Sequence, residues 1–212
     1  MQQILVYADS LSWGLVPMTR HRLPFEQRWP IVMEMSLCAA GRRARVIEDC
    51  LNGRRTVWDD PFKAGRNGLI GLAQRIEINS PLALVILMLG TNDFQSMHAH
   101  NAYHSSQGIA SLVSAIRTAP IEPGMPVPQI LVVAPPPFGV PKGLIAPKFA
   151  GGEGKRVGLA EAYRQVCDEL GCRFFDAAAV IASSALDGVH LDAKQHLELG
   201  RALSSVVAPL LA

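Results

Sequence analysis

Short apolar or β-branched runs alternate along the chain with longer segments of helical period. The runs predict strands over 4–7, 45–47, 84–89, 130–134 and 173–175. The longer segments predict helices over 28–40, 69–78, 107–118, 154–170 and 193–211. In the last of these, Leu197, Leu199, Leu203, Val206, Val207 and Leu210 form a broad apolar stripe. The run 84–89 is apolar at every position, as a central strand covered by helices on both faces must be. Strand–helix alternation of this kind implies a parallel α/β sheet, and no internal repeat or linker divides it. Two stretches, 52–67 and 135–152, carry several glycines and prolines and are read as irregular. Loops this long in a domain usually serve a site or a contact.

Composition narrows the class. At 212 residues and 49% hydrophobic, the chain suits one domain over 1–212 with one large core, and disorder is excluded. The formal net charge is +2, with 20 basic and 18 acidic residues and no basic run, so no nucleic-acid partner is expected. The longest apolar run, 82–89, falls far short of the ~20 residues of a membrane span. The first nine residues lack a basic segment followed by a long apolar one, so no signal peptide is read there. Cys38, Cys50, Cys167 and Cys172 fit neither a disulfide framework nor a metal pattern. Reduced thiols and a cytoplasmic location are therefore expected, with no metal and no cofactor.

In an open parallel sheet, ligands bind beyond the carboxyl ends of the strands, so the polar residues that follow each strand matter most. After the first come Asp9 and Ser10, after the second Asn52 and Gly53, and after the third Gly90, Thr91, Asn92 and Asp93. After the fifth come Asp187 and His190. These residue types suit acyl transfer. A serine hydroxyl needs an adjacent base to become a nucleophile. His190 can take and return a proton near neutrality, and Asp187, three residues upstream, can fix its tautomer. The amide of Asn92 and the backbone N–H groups of Gly53 and Ser10 are candidate oxyanion donors. Asp9 is read as holding the nucleophile's turn beside the pocket, and Trp13, Phe94 and Phe138 as candidates to wall an acyl pocket.

These blocks resemble a known family. The segment Tyr7-Ala8-Asp9-Ser10-Leu11-Ser12-Trp13-Gly14 resembles the opening block of the SGNH/GDSL hydrolases. Asn52-Gly53 falls where their glycine block lies, Gly90-Thr91-Asn92-Asp93 matches their third block, and Asp187-Gly188-Val189-His190 their last. The flanks 86–89 and 132–137 resemble the branch of bacterial arylesterases and acyltransferases. The resemblance implies a flavodoxin-like three-layer α/β/α sandwich with a five-stranded parallel sheet of order 2-1-3-4-5. It also implies a triad of Ser10, His190 and Asp187, a covalent acyl-enzyme on short-chain, acetyl-type esters, acyltransferase side activity and homo-oligomers. The chain departs from the pattern at Ala8, which replaces a glycine, and around Cys50-Leu51-Asn52-Gly53-Arg54-Arg55.

Other readings compete. The same parts would serve a carbohydrate deacetylase, a thioesterase or a lysophospholipase. From another class, the fold could be a non-catalytic module binding a small molecule, but a phosphate-cradling loop after the first strand is replaced by Asp9-Ser10. The segment 151–156 lacks the spacing of a phosphate loop. His98, His100 and His104 are read as an exposed loop or helix start, Cys50 as a packing residue, and His196 as solvated on the polar side of the last helix.

Overall fold

The computed structural model describes residues 1–211. Its sheet contains β1 (Gln2–Ala8), β2 (Ala44–Cys50), β3 (Leu84–Met88), β4 (Gln129–Ala134) and β5 (Arg173–Asp176). All neighbours are parallel and the order is β2-β1-β3-β4-β5. The helices are α1 (Ser10–Trp13), α2 (Trp29–Ala39), α3 (Leu72–Asn79), α4 (Ala102–Arg117), α5 (Ala146–Phe149), α6 (Gly152–Lys155), α7 (Leu159–Leu170) and α8 (Ala193–Val207).

The unbroken apolar run of β3 is divided between two cores by the alternation of a strand. Val85, Leu87 and Leu89 pack with Ile76 of α3, Ile109 and Leu112 of α4 and Tyr163 of α7. Leu84, Ile86 and Met88 pack with Trp29 and Met33 of α2 and Leu199 and Leu203 of α8. Helices therefore cover both faces, which yields the three-layer α/β/α arrangement.

Element boundaries shift for identifiable reasons. Helix α4 begins five residues before its expected start. Asn101 caps it, accepting the His104 N–H, while His104 Nδ1 accepts the Asn101 N–H. The expected helix 154–170 is split between α6 and α7, because Gly154 and Gly158 weaken its first half and Gly158 turns left-handed between them. The last helix stops at Val207, and a 3₁₀ turn carries Pro209. The stretch 135–152 is less irregular than expected, since Gly143–Ile145 and α5 form short turns of helix. Strand β2 extends to Cys50 although Glu48 and Asp49 are polar, because an edge strand needs only one buried side.

One expectation is overturned here. His196 is fully buried between α2 and α8, not solvated. Its Nδ1 accepts the Trp29 N–H at 3.0 Å, an amide at the start of α2 with no intrahelical partner. Burial, with the Arg28 and His190 charges, lowers its pKa to about 3, so the ring is neutral. Polar periodicity alone could not distinguish a solvated histidine from one that caps a neighbouring helix.

Candidate active site

Four loops at the carboxyl ends of β1, β2 and β3 and ahead of α8 converge on one cavity of about 280 Å³. Ser10, Asn52, Gly53, Asn92, Asp187 and His190 all line it. Ser10 opens the single turn of α1, and Asp9 caps that turn by accepting the Leu11 N–H at 3.0 Å. As the first residue of the helix, Ser10 has a backbone N–H with no intrahelical acceptor. Its Oγ lies 3.2 Å from His190 Nε2. His190 Nδ1 lies 2.7 Å from Asp187 Oδ2, while Asp187 Oδ1 accepts the N–H groups of Val189 and His190 at 2.9 Å each. Burial would raise the Asp187 carboxyl, but its bonds and attraction to His190 and these two amides draw it down to about 2. It stays ionised at any working pH.

The Asp187–His190 loop is fastened from outside. Gly139 N–H donates to Gly188 O at 2.7 Å and Lys142 N–H to Asp187 O at 2.9 Å. Gly188 has φ +79°, and a Cβ there would overlap the Val140 carbonyl. Gly188→Ala is therefore expected to lower the melting temperature and the turnover rate together, because relieving the overlap moves the loop that carries both side chains. Differential scanning calorimetry alongside an ester assay measures both.

Asn92 sits on a 3₁₀ turn after β3. Its Nδ2 donates to Asp9 Oδ2 at 2.9 Å and to Arg54 O at 3.2 Å, and its Oδ1 accepts from Gln95 Nε2 at 2.7 Å. Gln95 Oε1 in turn accepts from Arg55 at 2.6 Å. Arg55 is fully buried, donating also to Asp60 at 2.9 Å, His98 Nε2 at 2.7 Å and Gly53 O at 3.3 Å. One guanidinium thus ties the loop carrying Gly53 to the turn carrying Asn92. Gly90, with φ +120°, lets Tyr163 reach this turn, where a Cβ would collide with its hydroxyl. Asp93 anchors the turn from below, accepting from Thr56 N, Thr56 Oγ1 and Ser105 Oγ at 2.7–3.0 Å.

Burial raises the carboxyls of Asp9 and Asp93 to about 6, despite hydrogen bonds that favour their charge. The folded protein then keeps protons that the unfolded chain releases near 3.8. Their contribution to stability is fully present below that value and is lost as pH rises through about 6. Urea midpoints are expected to carry this falling component across that window, and Asp93→Asn removes its share of the slope.

The structure brings Ser10, Gly53, Asn92, Asp187 and His190 together but not the expected pocket wall. Phe94 is fully buried in the core, Phe138 packs on Phe149 with centroids 5.4 Å apart, and Trp13 lies under Arg22. None lines the cavity, nor does Asp9, which is buried beneath it. Aromatics following a strand end can turn inward as readily as outward, as Phe94 and Phe138 do here. The apolar lining comes instead from Leu15, Met18, Leu144, Ile145 and Phe149. Arg55 and Gln95 were missed; the paired arginines directly after Gly53 were the available signal. His98 and His100 are half-buried, with His100 stacked 3.9 Å from Trp58. Among the described residues, no group of three or more His, Cys, Asp or Glu is placed to hold a metal ion.

The profile of the GDSL-like lipase/acylhydrolase family matches residues 9–197. The chain belongs to that family. It is a carboxylic ester hydrolase acting on small molecules. Among solved structures, this acylhydrolase superposes with a TM-score of 0.93 on a carbohydrate acetylesterase from Sinorhizobium meliloti. The two are 35% identical over 99% of this chain and 100% of that one. The inhibitor-bound aryl esterase of M. smegmatis gives the same TM-score at 34% identity and the same coverage. No curated protein sequence matches the chain. No helix among the described residues of this family member is long and apolar enough to cross a membrane.

Proposed function

We propose that the protein cleaves short-chain, acetyl-type esters through a covalent acyl-enzyme on Ser10. The observation that carries this reading is the continuous relay from Asp187 through His190 to the Ser10 hydroxyl, opening on the cavity. Ser10 Oγ attacks the ester carbonyl while His190 Nε2 takes its proton. The backbone N–H groups of Ser10 and Gly53 and the Asn92 amide receive the oxyanion. Of the two bonds that Asn92 Nδ2 donates, the one to Arg54 O at 3.2 Å is the longer, so a small tilt of the whole amide would exchange it for the oxyanion. His190 then returns the proton to the departing alkoxide, leaving acyl-Ser10 and free alcohol. Water, deprotonated by His190, attacks the acyl group, and His190 passes that proton to the departing Ser10 Oγ as the acid is released. Asp187 remains an anion throughout, holding His190 in the tautomer that presents Nε2 to Ser10.

A short acyl chain is favoured by the acetylesterase among the similar structures. The apolar lining favours alcohols competing with water for the acyl group, which is the basis for acyltransferase side activity. Hydrolysis of 4-nitrophenyl esters tests the reading. Turnover is expected to fall steeply from acetyl to octanoyl, and acetyl-Ser10 is expected in acid-quenched enzyme by mass spectrometry. A rate rising toward octanoyl would replace this reading with a lipase-like one.

A further inference from the structure

The ionisable side chains lining the cavity are unbalanced. Arg20, Lys63, Lys142 and Lys148 all line it, against the carboxylates of Asp60 and Asp187. Both carboxylates are already engaged, Asp60 by Arg55 at 2.9 Å and Asp187 by His190 at 2.7 Å. None of the four cations forms a salt bridge among the described residues. Lys142 Nζ has only the Ala185 carbonyl, at 2.9 Å. Of the sixteen lysines and arginines elsewhere in the chain, eight form salt bridges, among them Arg22 and Arg28, which share Glu48, and Arg54 and Arg75, which share Asp49.

The four cations come from three stretches, Arg20 before α2, Lys63 in the loop after β2, and Lys142 and Lys148 in the segment between β4 and α6, so local sequence does not force the three together. Their proximity has a cost. Desolvation first, and then neighbouring cations, weaken the hold of Lys63 and Lys148 on their protons; Arg66 and Arg20 act on the first, Arg55 foremost on the second. Asp60 only partly opposes this. Ser10 is nearly buried while Arg20, Lys63, Lys142 and Lys148 are exposed, so the cations stand at the mouth and the reacting atoms deeper. A cleft lined by one sign of charge focuses its field and gathers the opposite sign.

We infer that the preferred ester is anionic, with the acetyl group seated at Ser10 and a negatively charged group on the alcohol part held at the mouth by Arg20, Lys63, Lys142 and Lys148. This rests on the acetylesterase reading above. It adds a preference which neutral acetates do not reveal.

The test compares 3-acetoxybenzoate with the neutral 3-acetoxybenzamide and the cationic 3-acetoxy-N,N,N-trimethylanilinium. Each kcat/KM is divided by that ester's rate of alkaline hydrolysis. At low ionic strength the anion is expected to exceed the amide by about tenfold or more and the cation to trail both. The advantage should shrink toward unity in 0.5 M NaCl, where screening acts over roughly 4 Å. In the double variant Lys63→Glu/Lys148→Glu, the ratio of anion to amide is expected to fall below one. Equal normalised rates for all three esters in the wild type, or an unchanged ratio in the double variant, would overturn the inference. Should that variant misfold, inhibition of the wild type by benzoate against benzamide decides, with tighter benzoate inhibition expected and equal inhibition refuting the preference. If none of the esters is cleaved, the acetylesterase reading fails by itself, and benzoate binding still reports on the cationic mouth.

Discussion

Ser10→Ala is expected to lower kcat by roughly a millionfold while leaving the fold intact, since removing one member of a cooperating triad costs about as much as removing them all. The structure makes the two effects separable. The Ser10 hydroxyl bonds only His190, and the turn it opens is capped by Asp9 rather than by Ser10 itself. Circular dichroism and the melting temperature should therefore match the parent, with changes within ~0.5 kcal/mol. No neighbouring group replaces the lost nucleophile. The Cys50 thiol is raised well above its ordinary pKa by burial and by Glu48, so it is not a thiolate at neutral pH. Turnover surviving in the variant would remove Ser10 from the mechanism.

The second large effect is at Arg55. Replacing this buried guanidinium with methionine leaves Asp60, the Gln95 carbonyl and the Gly53 carbonyl without their donor. Breaking a buried charge pair on one side typically costs ~3–5 kcal/mol, so Arg55→Met should show a large drop in urea midpoint. It should also reduce kcat more than it raises KM, because Gly53 and Asn92 lose alignment toward the transition state rather than contact with the ground-state ester. Gln95→Met, which cuts only the link from Arg55 to Asn92, is expected to keep the kcat defect with a smaller stability loss of ~1–3 kcal/mol. Steady-state kinetics beside chemical denaturation distinguishes this positioning role from a structural one. If both variants lost stability with kcat unchanged, Arg55 would be a scaffold residue alone.

The fold and the converging loops were legible because each rests on local pattern. The strands of β1, β3 and β4 are short apolar runs that no helix period explains, and the residues that follow β1 and β3 are those the proposed chemistry needs. The supports of the site were not legible. Arg55, Gln95 and Asp60 act through bonds spanning up to 43 residues, and an arginine in a loop reads as a solvated charge until the loop folds over it. The same limit explains Phe94 and Phe138, whose direction depends on which core claims them, and His196, whose partner Trp29 lies 167 residues away. The cationic mouth was illegible for a related reason: its members are scattered among three stretches, and the net charge of +2 conceals their concentration.

The hydroxyl of residue 10 and the imidazole of residue 190 stand 180 positions apart along the chain. Closing such a gap costs entropy that only the assembled sheet and its flanking helices can offset. Catalysis is thus a property of the finished molecule: in a refolding experiment, helical signal should return first and ester cleavage last, so that enzyme activity times the final docking of the carboxyl-terminal segment.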